Sequence, residues 1–291
     1  MSHDLDRRLN AYRPDLADHK LEGLVSATRY AEGEAAHICV PVAQLRPRPD
    51  AASNIDTQLL WGETVRVFDR QDGWAWVQAE IDSYVGYLPE AELQTPVEAS
   101  HWITAARSFV YPEAELRRVP LQALSMGSRV RVVGEAETRG TRYAVLDTGG
   151  AIIAGHCRPI GTAPDKDYVR LAALFLETPY LWGGRSGFGI DCSGLVQLAA
   201  MMAGHAIPRD SDMQAGFGMD IGRADLRRGD LVFWKGHVAI MEDEATILHA
   251  NGHTMTVARE PLDGAIVRIG WLYGQPTGYR RFLPHPLHAD V

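Results

Sequence analysis

This chain is poor in the features that would tie it to membranes, nucleic acid or an oxidising compartment. Its 291 residues include three cysteines, Cys39, Cys157 and Cys192. An odd, sparse set builds no disulfide framework and fits a reducing compartment. Basic side chains are in the minority, 29 Lys and Arg against 37 Asp and Glu, for a formal net charge of −8. That balance argues against nucleic acid as a general partner. No apolar run approaches the roughly 18 residues of a membrane helix. The opening Met1-Ser2-His3-Asp4-Leu5-Asp6-Arg7-Arg8 lacks the apolar core of a secretory leader. The expectation is a cytoplasmic protein with no membrane partner. What the chain does have is length for two or three domains with proper cores.

It also has one segment that reads as chemistry. Asp191-Cys192-Ser193-Gly194-Leu195-Val196-Gln197 follows Pro179-Tyr180-Leu181-Trp182-Gly183-Gly184. The glycine-rich approach gives way to an apolar run, Leu195 to Ala203, that predicts a helix. Asp191 is a good N-cap, so Cys192 falls at the first helical position. The positive end of a helix lowers a thiol's pKa, and a thiolate is a nucleophile. This predicts a cysteine hydrolase with Cys192 as nucleophile; a buried structural thiol is the plainer alternative.

Two histidines bear on that choice. His237-Val238-Ala239-Ile240-Met241 and Ala245-Thr246-Ile247-Leu248-His249-Ala250 are short, apolar and β-prone, with Glu242-Asp243-Glu244 between them. They predict a hairpin turning near Asp243, with His237 and His249 opposite each other and on one face. His237 then serves as general base and His249 orients it. Core histidines with satisfied hydrogen bonds are the commoner reading of either alone. Zinc is disfavoured, because the ligand spacings are long and no fourth ligand is evident. No metal and no cofactor are expected. Cys39 and Cys157 read as structural.

The rest of the chain divides by composition. Residues 1–36 are charged and irregular, an N-terminal arm. Residues 37–97 predict strands at Ile38–Val42, Thr64–Asp69, Trp74–Gln78 and Tyr84–Leu88, with turns at Gly62, Gly73 and Asp82-Ser83. The order Gly62-Glu63, Val65 to Phe68, Asp72 to Val77 and Tyr84 to Pro89 resembles a bacterial SH3-like (SH3b) domain. Residues 98–162 repeat the outline more weakly, with Met126-Gly127-Ser128 in the place of Trp61-Gly62-Glu63. Their strand candidates are Ser108–Tyr111, Arg129–Val133, Arg142–Leu146 and Ala151–Ala154. Asp165-Lys166-Asp167 then opens a helix through about Glu177, and residues 163–291 read as an α+β domain.

That last domain resembles the NlpC/P60 family of cysteine peptidases, on landmarks in the family's order. They are Pro179 to Gly184, Asp191 to Val196, Pro208-Arg209-Asp210-Ser211, Gln214, Arg228-Gly229-Asp230-Leu231-Val232-Phe233-Trp234, His237 to Ile240 and Leu248-His249-Ala250. The resemblance implies a papain-like catalytic fold behind two small SH3-like β-barrels. With the upstream barrels, it implies a γ-D-glutamyl-L-diamino acid endopeptidase of murein peptide recycling. The substrates implied are short peptides such as L-Ala-γ-D-Glu-diaminopimelate, with a free N-terminal L-Ala. It makes Tyr180 an oxyanion donor beside the Cys192 N–H. It sets Asp210 toward the α-amine of L-Ala, and Ser193 or Ser211 toward the D-Glu carboxylate. Asp191 and Trp182 join the substrate-binding set; packing under the glycine turn is the other reading of Trp182. Glu63 and Tyr84 are implied as the wall that reads the N-terminus, although Glu63 also reads as a solvated turn carboxylate. Asp210-Ser211 doubles as a helix cap. Asp230 reads as a turn residue and the charged run Arg223–Arg228 as solvated surface. An exported endopeptidase on intact peptidoglycan, or a wall-peptide-binding protein without activity, are the alternatives.

Overall fold

Short strands with alternating burial build the first half of the chain. Thr64–Gln71 buries Val65 and Val67 on one side, and Trp74–Ala79 buries Ala75, Val77 and Ala79, the period of a half-buried strand. The computed structural model describes residues 5–282. The first four residues of the expected arm and residues 283–291 of the expected catalytic domain lie outside the described residues. The chain divides into two units, Met1–Ile160 and Gly161–Val291.

In the first unit, five strands run in the order Val85–Pro89, Trp74–Ala79, Thr64–Gln71, Glu34–Ile38 and Leu93–Gln94. A second pair, Val42–Leu45 with Thr57–Leu60, is tied on through the Arg46–Tyr87 bridge. Ile38, Leu45, Leu59, Val65, Val77 and Leu88 fill the space between. The expected strand Ile38–Val42 is instead a break between two strands. The expected boundary after residue 36 falls inside a strand. Residues before it are ordered: Leu16–Asp18 pairs in parallel with Arg29–Ala31, and Ala11 and Leu16 bury against Phe68 and Trp76. A register shift between Val67 and Asp69 leaves Phe68 unpaired, and Phe68 packs with that outer cluster rather than with the barrel core.

Residues 101–159 repeat the plan around Ile103, Val110, Leu124, Val130, Leu146 and Ile152. The expected strand Arg129–Val133 is interrupted at Arg131, giving Arg129–Val130 and Val132–Thr138. The shared turn is explicit. Gly62 N–H bonds Ile38 O and the Ile38 N–H returns to Glu63 O; Gly127 N–H bonds Ile103 O and the Ile103 N–H returns to Ser128 O. Both glycines have φ near +80°, at +76° and +89°, where a side chain is strained.

Among the described residues, the second unit sets four α-helices around an antiparallel sheet. The sheet order is Met219–Asp220, Gly278–Arg281, Asp230–Trp234, His237–Met241, Thr246–Asn251 and Thr256–Pro261. Helix α1 (Tyr168–Ala173) starts at Asp167, whose Oδ1 accepts the Arg170 N–H. It stops at Ala173 rather than near Glu177. The following N–H groups of Phe175 and Leu176 bond three residues back, and Glu177 sits at φ +64° before Thr178-Pro179. Helix α2 (Cys192–Met202) is buried along its whole length and packs on α1 and on the strands of both histidines. Helix α3 (Ser211–Gln214) is a single turn. Helix α4 (Leu262–Tyr273) lays Leu262, Ala265, Ile266 and Ile269 on Val232, Trp234, Ala239, Met241 and Ile247. By alternation, His237 and His249 lie on this α4 side of the sheet.

Candidate active site

The start of α2 is fixed from beneath. Asp191 Oδ1 accepts the Gly194 N–H at 2.7 Å, and Oδ2 accepts the Gly183 N–H at 2.9 Å. Arg209 closes on both oxygens, at 3.0 and 2.7 Å, and also reaches Ser193 Oγ at 2.9 Å and Gly184 O at 3.3 Å. The pair is buried, with side-chain exposures of 1% and 11%. Asp191 therefore caps the helix and anchors Arg209, and its oxygens are filled from the protein. Gln214 Nε2 ties the same layer together by bonding Ser193 O and Pro208 O. A Cβ on Gly194 would sit 2.4 Å from Gly184 O, so only glycine lets the helix approach the preceding turn this closely.

Cys192 is the first residue of α2 and is buried. Its own N–H, at a helix start, has no partner in the helix ladder. The backbone N–H groups of Val238 and Ser193 favour its anion. The strand of His237 packs against α2. Burial, then the Asp191 carboxylate, pushes the thiol up to about 12, against the pull of those N–H groups and Arg209. Desolvation of the anion thus works against the helix end, which was expected to lower this pKa. The sulfur needs a base to release its proton.

The candidate base stands on the strand that carries Val238. His237 Nε2 lies 2.9 Å from His249 Nδ1, with ring centroids 5.1 Å apart. Burial, then His249 and Arg268, brings His237 down to about 3, while Glu260 acts in the other direction. The other side of its ring meets Trp234, centroids 5.7 Å apart. The histidines are not directly opposite. The register pairs Ile240 with Leu248 and Met241 with Ile247, which centres the turn on Glu244 and makes the two a diagonal pair on one face. Beyond them, His249 Nε2 lies 3.3 Å from Glu260 Oε2, and Arg268 grips that carboxylate at 2.9 and 2.5 Å.

Tyr180 is half-buried. Burial and then the nearby charges of Cys192 and Asp191 raise its hydroxyl above the usual tyrosine value. Trp182 is 68% exposed, which removes the packing alternative. Ser193 is buried, and its hydroxyl also donates to Asp191 Oδ1 at 3.3 Å; Ser211, at the start of α3, is more open. Asp210 holds the N-cap position of α3, but its side chain makes no capping bond. Within the first unit, Glu63 is 1% exposed and its Oε2 accepts the Leu60 N–H at 2.9 Å, so it is not a solvated turn carboxylate. Tyr84 is buried in the first barrel's core. Asp230 is buried and bonds Arg281 at 2.9 Å and the Arg227 N–H at 2.9 Å, a structural corner. Cys39 and Cys157 bond carbonyls at Ala91 and Ile153, and burial raises both thiols, Cys157 to about 11.

A helix-borne cysteine beside a strand-borne pair of hydrogen-bonded histidines is the layout of a papain-like cysteine peptidase. Comparison with known proteins agrees. Residues 177–270 match the NlpC/P60 family, and residues 45–93 match the bacterial dipeptidyl-peptidase Sh3 domain. The chain is 30% identical over 218 residues to the γ-D-glutamyl-L-lysine dipeptidyl-peptidase of Bacillus subtilis, covering 67% of this chain and 72% of the relative. It is 27% identical over 276 residues to dipeptidyl-peptidase 6 of Lysinibacillus sphaericus, covering 87% and 97%. The crystal structure of an NlpC/P60 family protein from Bacillus cereus shares the fold, with a TM-score of 0.72 at 24% identity over 86% of this chain and all of that one. The chain belongs to the NlpC/P60 family of cysteine peptidases, with an SH3-like N-terminal region.

Three residues around the site carried no role in the sequence reading. Arg209 stood inside a recognised landmark, but nothing local tells a cleft arginine from a buried clamp. Glu260 and Arg268 lie beyond every landmark. The one available signal was alternation: Ile247 pairs with Glu260 and His249 with Ala258, so Glu260 shares the face of His249.

Proposed function

We propose that this peptidase cleaves the bond between γ-D-Glu and the diamino acid of short murein peptides that have a free N-terminal L-Ala. The observation that carries it is the His237–His249 hydrogen bond, on a strand that packs against the helix begun by Cys192. The B. subtilis relative, named for γ-D-glutamyl-L-lysine, supports the choice of substrate.

In this reading the Cys192 thiol gives its proton to His237 as sulfur attacks the γ-glutamyl carbonyl. Both groups are neutral at rest because each is buried. Proton transfer makes a thiolate and an imidazolium together, so the two charges compensate each other in the dry site. The oxyanion is met by the Cys192 N–H and the Tyr180 hydroxyl. His237 then protonates the departing diamino-acid amine, leaving a thioester. Water, deprotonated by His237, hydrolyses it and frees L-Ala-D-Glu. Asp210 receives the α-ammonium of L-Ala and Ser211 the free D-Glu carboxylate. The same reading makes the enzyme cytoplasmic and its task peptide recycling.

The test is mass spectrometry of products from L-Ala-γ-D-Glu-L-Lys, L-Ala-γ-D-Glu-diaminopimelate and their N-acetyl forms. Release of L-Ala-D-Glu from a free peptide, with the acetylated form intact, is expected. Equal cleavage of both forms removes the free-amine requirement. Undiminished turnover by Cys192→Ala removes the mechanism.

A further inference from the structure

The side chains behind the histidine pair form a line that leads away from Cys192. His249 is 1% exposed and its Nδ1 is engaged by His237 at 2.9 Å. Its Nε2 is buried and has no well-aligned hydrogen-bond partner; the carboxylate oxygen Oε2 of Glu260 stands 3.3 Å away. Glu260 is in turn held by two parallel bonds from Arg268, half-buried on α4. Four groups from three strands and a helix therefore stand in sequence behind Cys192: His237, His249, Glu260 and Arg268.

A neutral imidazole carries one N–H and one lone pair. Beside a carboxylate, the nitrogen bearing the proton is favoured and a lone pair is repelled. His249 thus keeps its proton on Nε2, toward Glu260, and offers a lone pair at Nδ1. The bond to His237 then requires His237 Nε2 to donate. The lone pair of neutral His237 is left on Nδ1, the nitrogen free to take the thiol proton. We propose that Glu260, gripped by Arg268, is a positioning residue that sets the tautomers of His249 and His237 and so selects Nδ1 of His237 as the base. This rests on the reading of Cys192 and His237 as nucleophile and base.

Arg268 has two effects in this arrangement. Its fork fixes the direction of the carboxylate, and with His249 it holds Glu260 down to about 2, so the carboxylate stays ionised. The charged and titratable groups that bear on His237 are His249 and Glu260 from the neighbouring strands and Arg268 from α4. Glu260 raises the pKa of His237 and Arg268 lowers it. Removing the two charges one at a time therefore moves the base in opposite directions.

The experiment compares the pH profile of kcat/KM for wild type, Glu260→Gln and Arg268→Met on a cleavable tripeptide. Glu260→Gln is expected to lower kcat about 10–100-fold with KM nearly unchanged, the usual scale for an outer-shell partner. Its acid limb moves to lower pH, and that of Arg268→Met moves to higher pH. A residue that only supports the fold would lower the melting temperature without opposed shifts of the limb. Wild-type activity and an unmoved limb in both folded variants overturn the proposal. A second readout needs no substitution. Imidazole nitrogen NMR of the histidine-labelled wild type should show His249 protonated at Nε2 and His237 bare at Nδ1; the reverse pattern overturns the proposal. Loss of activity in Cys192→Ala alongside unmoved limbs would sink the role of Glu260 alone, whereas an active Cys192→Ala would sink the mechanism beneath it.

Discussion

Burial is the strongest influence on each of the two reacting side chains. It drives the Cys192 thiol up to about 12 from 9.0 and His237 down to about 3 from 6.5, so both favour their neutral forms in the fold. Each shift has a consequence for stability, with its own sign. The unfolded histidine binds a proton below about 6.5 that the folded one refuses, so stability present at neutral pH is lost as pH falls toward about 3. The unfolded cysteine loses its proton above 9.0 while the folded one keeps it, so stability falls as pH rises toward about 12. Glu260, lowered from 4.5 to about 2, adds a loss between those values on acidification. Thermal melts across pH should peak between about 6.5 and 9. Replacing His237 with Gln should flatten the decline between pH 6.5 and 4.5, and an unchanged decline would locate the proton uptake elsewhere.

At the level of elements, the junction of the glycine turn with α2 is the least forgiving place in the second unit. Gly184 O is fixed backbone, and a Cβ at position 194 would meet it at 2.4 Å. Gly194→Ala should cost about 1–3 kcal/mol, the range for overpacking a filled site, and lower kcat by shifting Cys192 from the Val238 N–H. Melting temperature and turnover measured together check this; a variant with wild-type values for both would show that the turn yields. What sequence could disclose follows the same logic of locality. The start of α2 was readable because Asp191 and the glycines act within a few residues. The repeated turns at Gly62 and Gly127 were readable because a left-handed φ singles out glycine. The end of α1 was not, since the stop comes from tight turns at Phe175 and Leu176 and the left-handed Glu177, in a stretch whose apolar spacing still reads as helical. The hairpin was found with its face correct and its centre one residue off, because Glu242-Asp243-Glu244 is equally polar at each position. The raised Cys192 pKa and the Glu260–Arg268 grip were hidden because both depend on what tertiary packing brings near.

Over the whole molecule, two groups of strands with separate cores share the SH3-like first unit, and the second holds the peptidase fold around its own core. Charge is distributed unevenly between exterior and interior. Pairs such as Arg223–Asp263 stand open to solvent, with side-chain exposures of 53% and 84%, and contribute little. The Asp191–Arg209 clamp is sealed, and breaking such a pair from one side costs about 3–5 kcal/mol. Dissolved ions screen what they can approach. At about 1 M ionic strength the screening length falls to about 3 Å, yet counterions stay outside a closed interior. The nucleophile's seat is therefore insulated from the medium. With saturating substrate, kcat should stay level from dilute buffer to molar sodium chloride, and a steep salt-dependent decline would mean that electrolyte reaches the clamp.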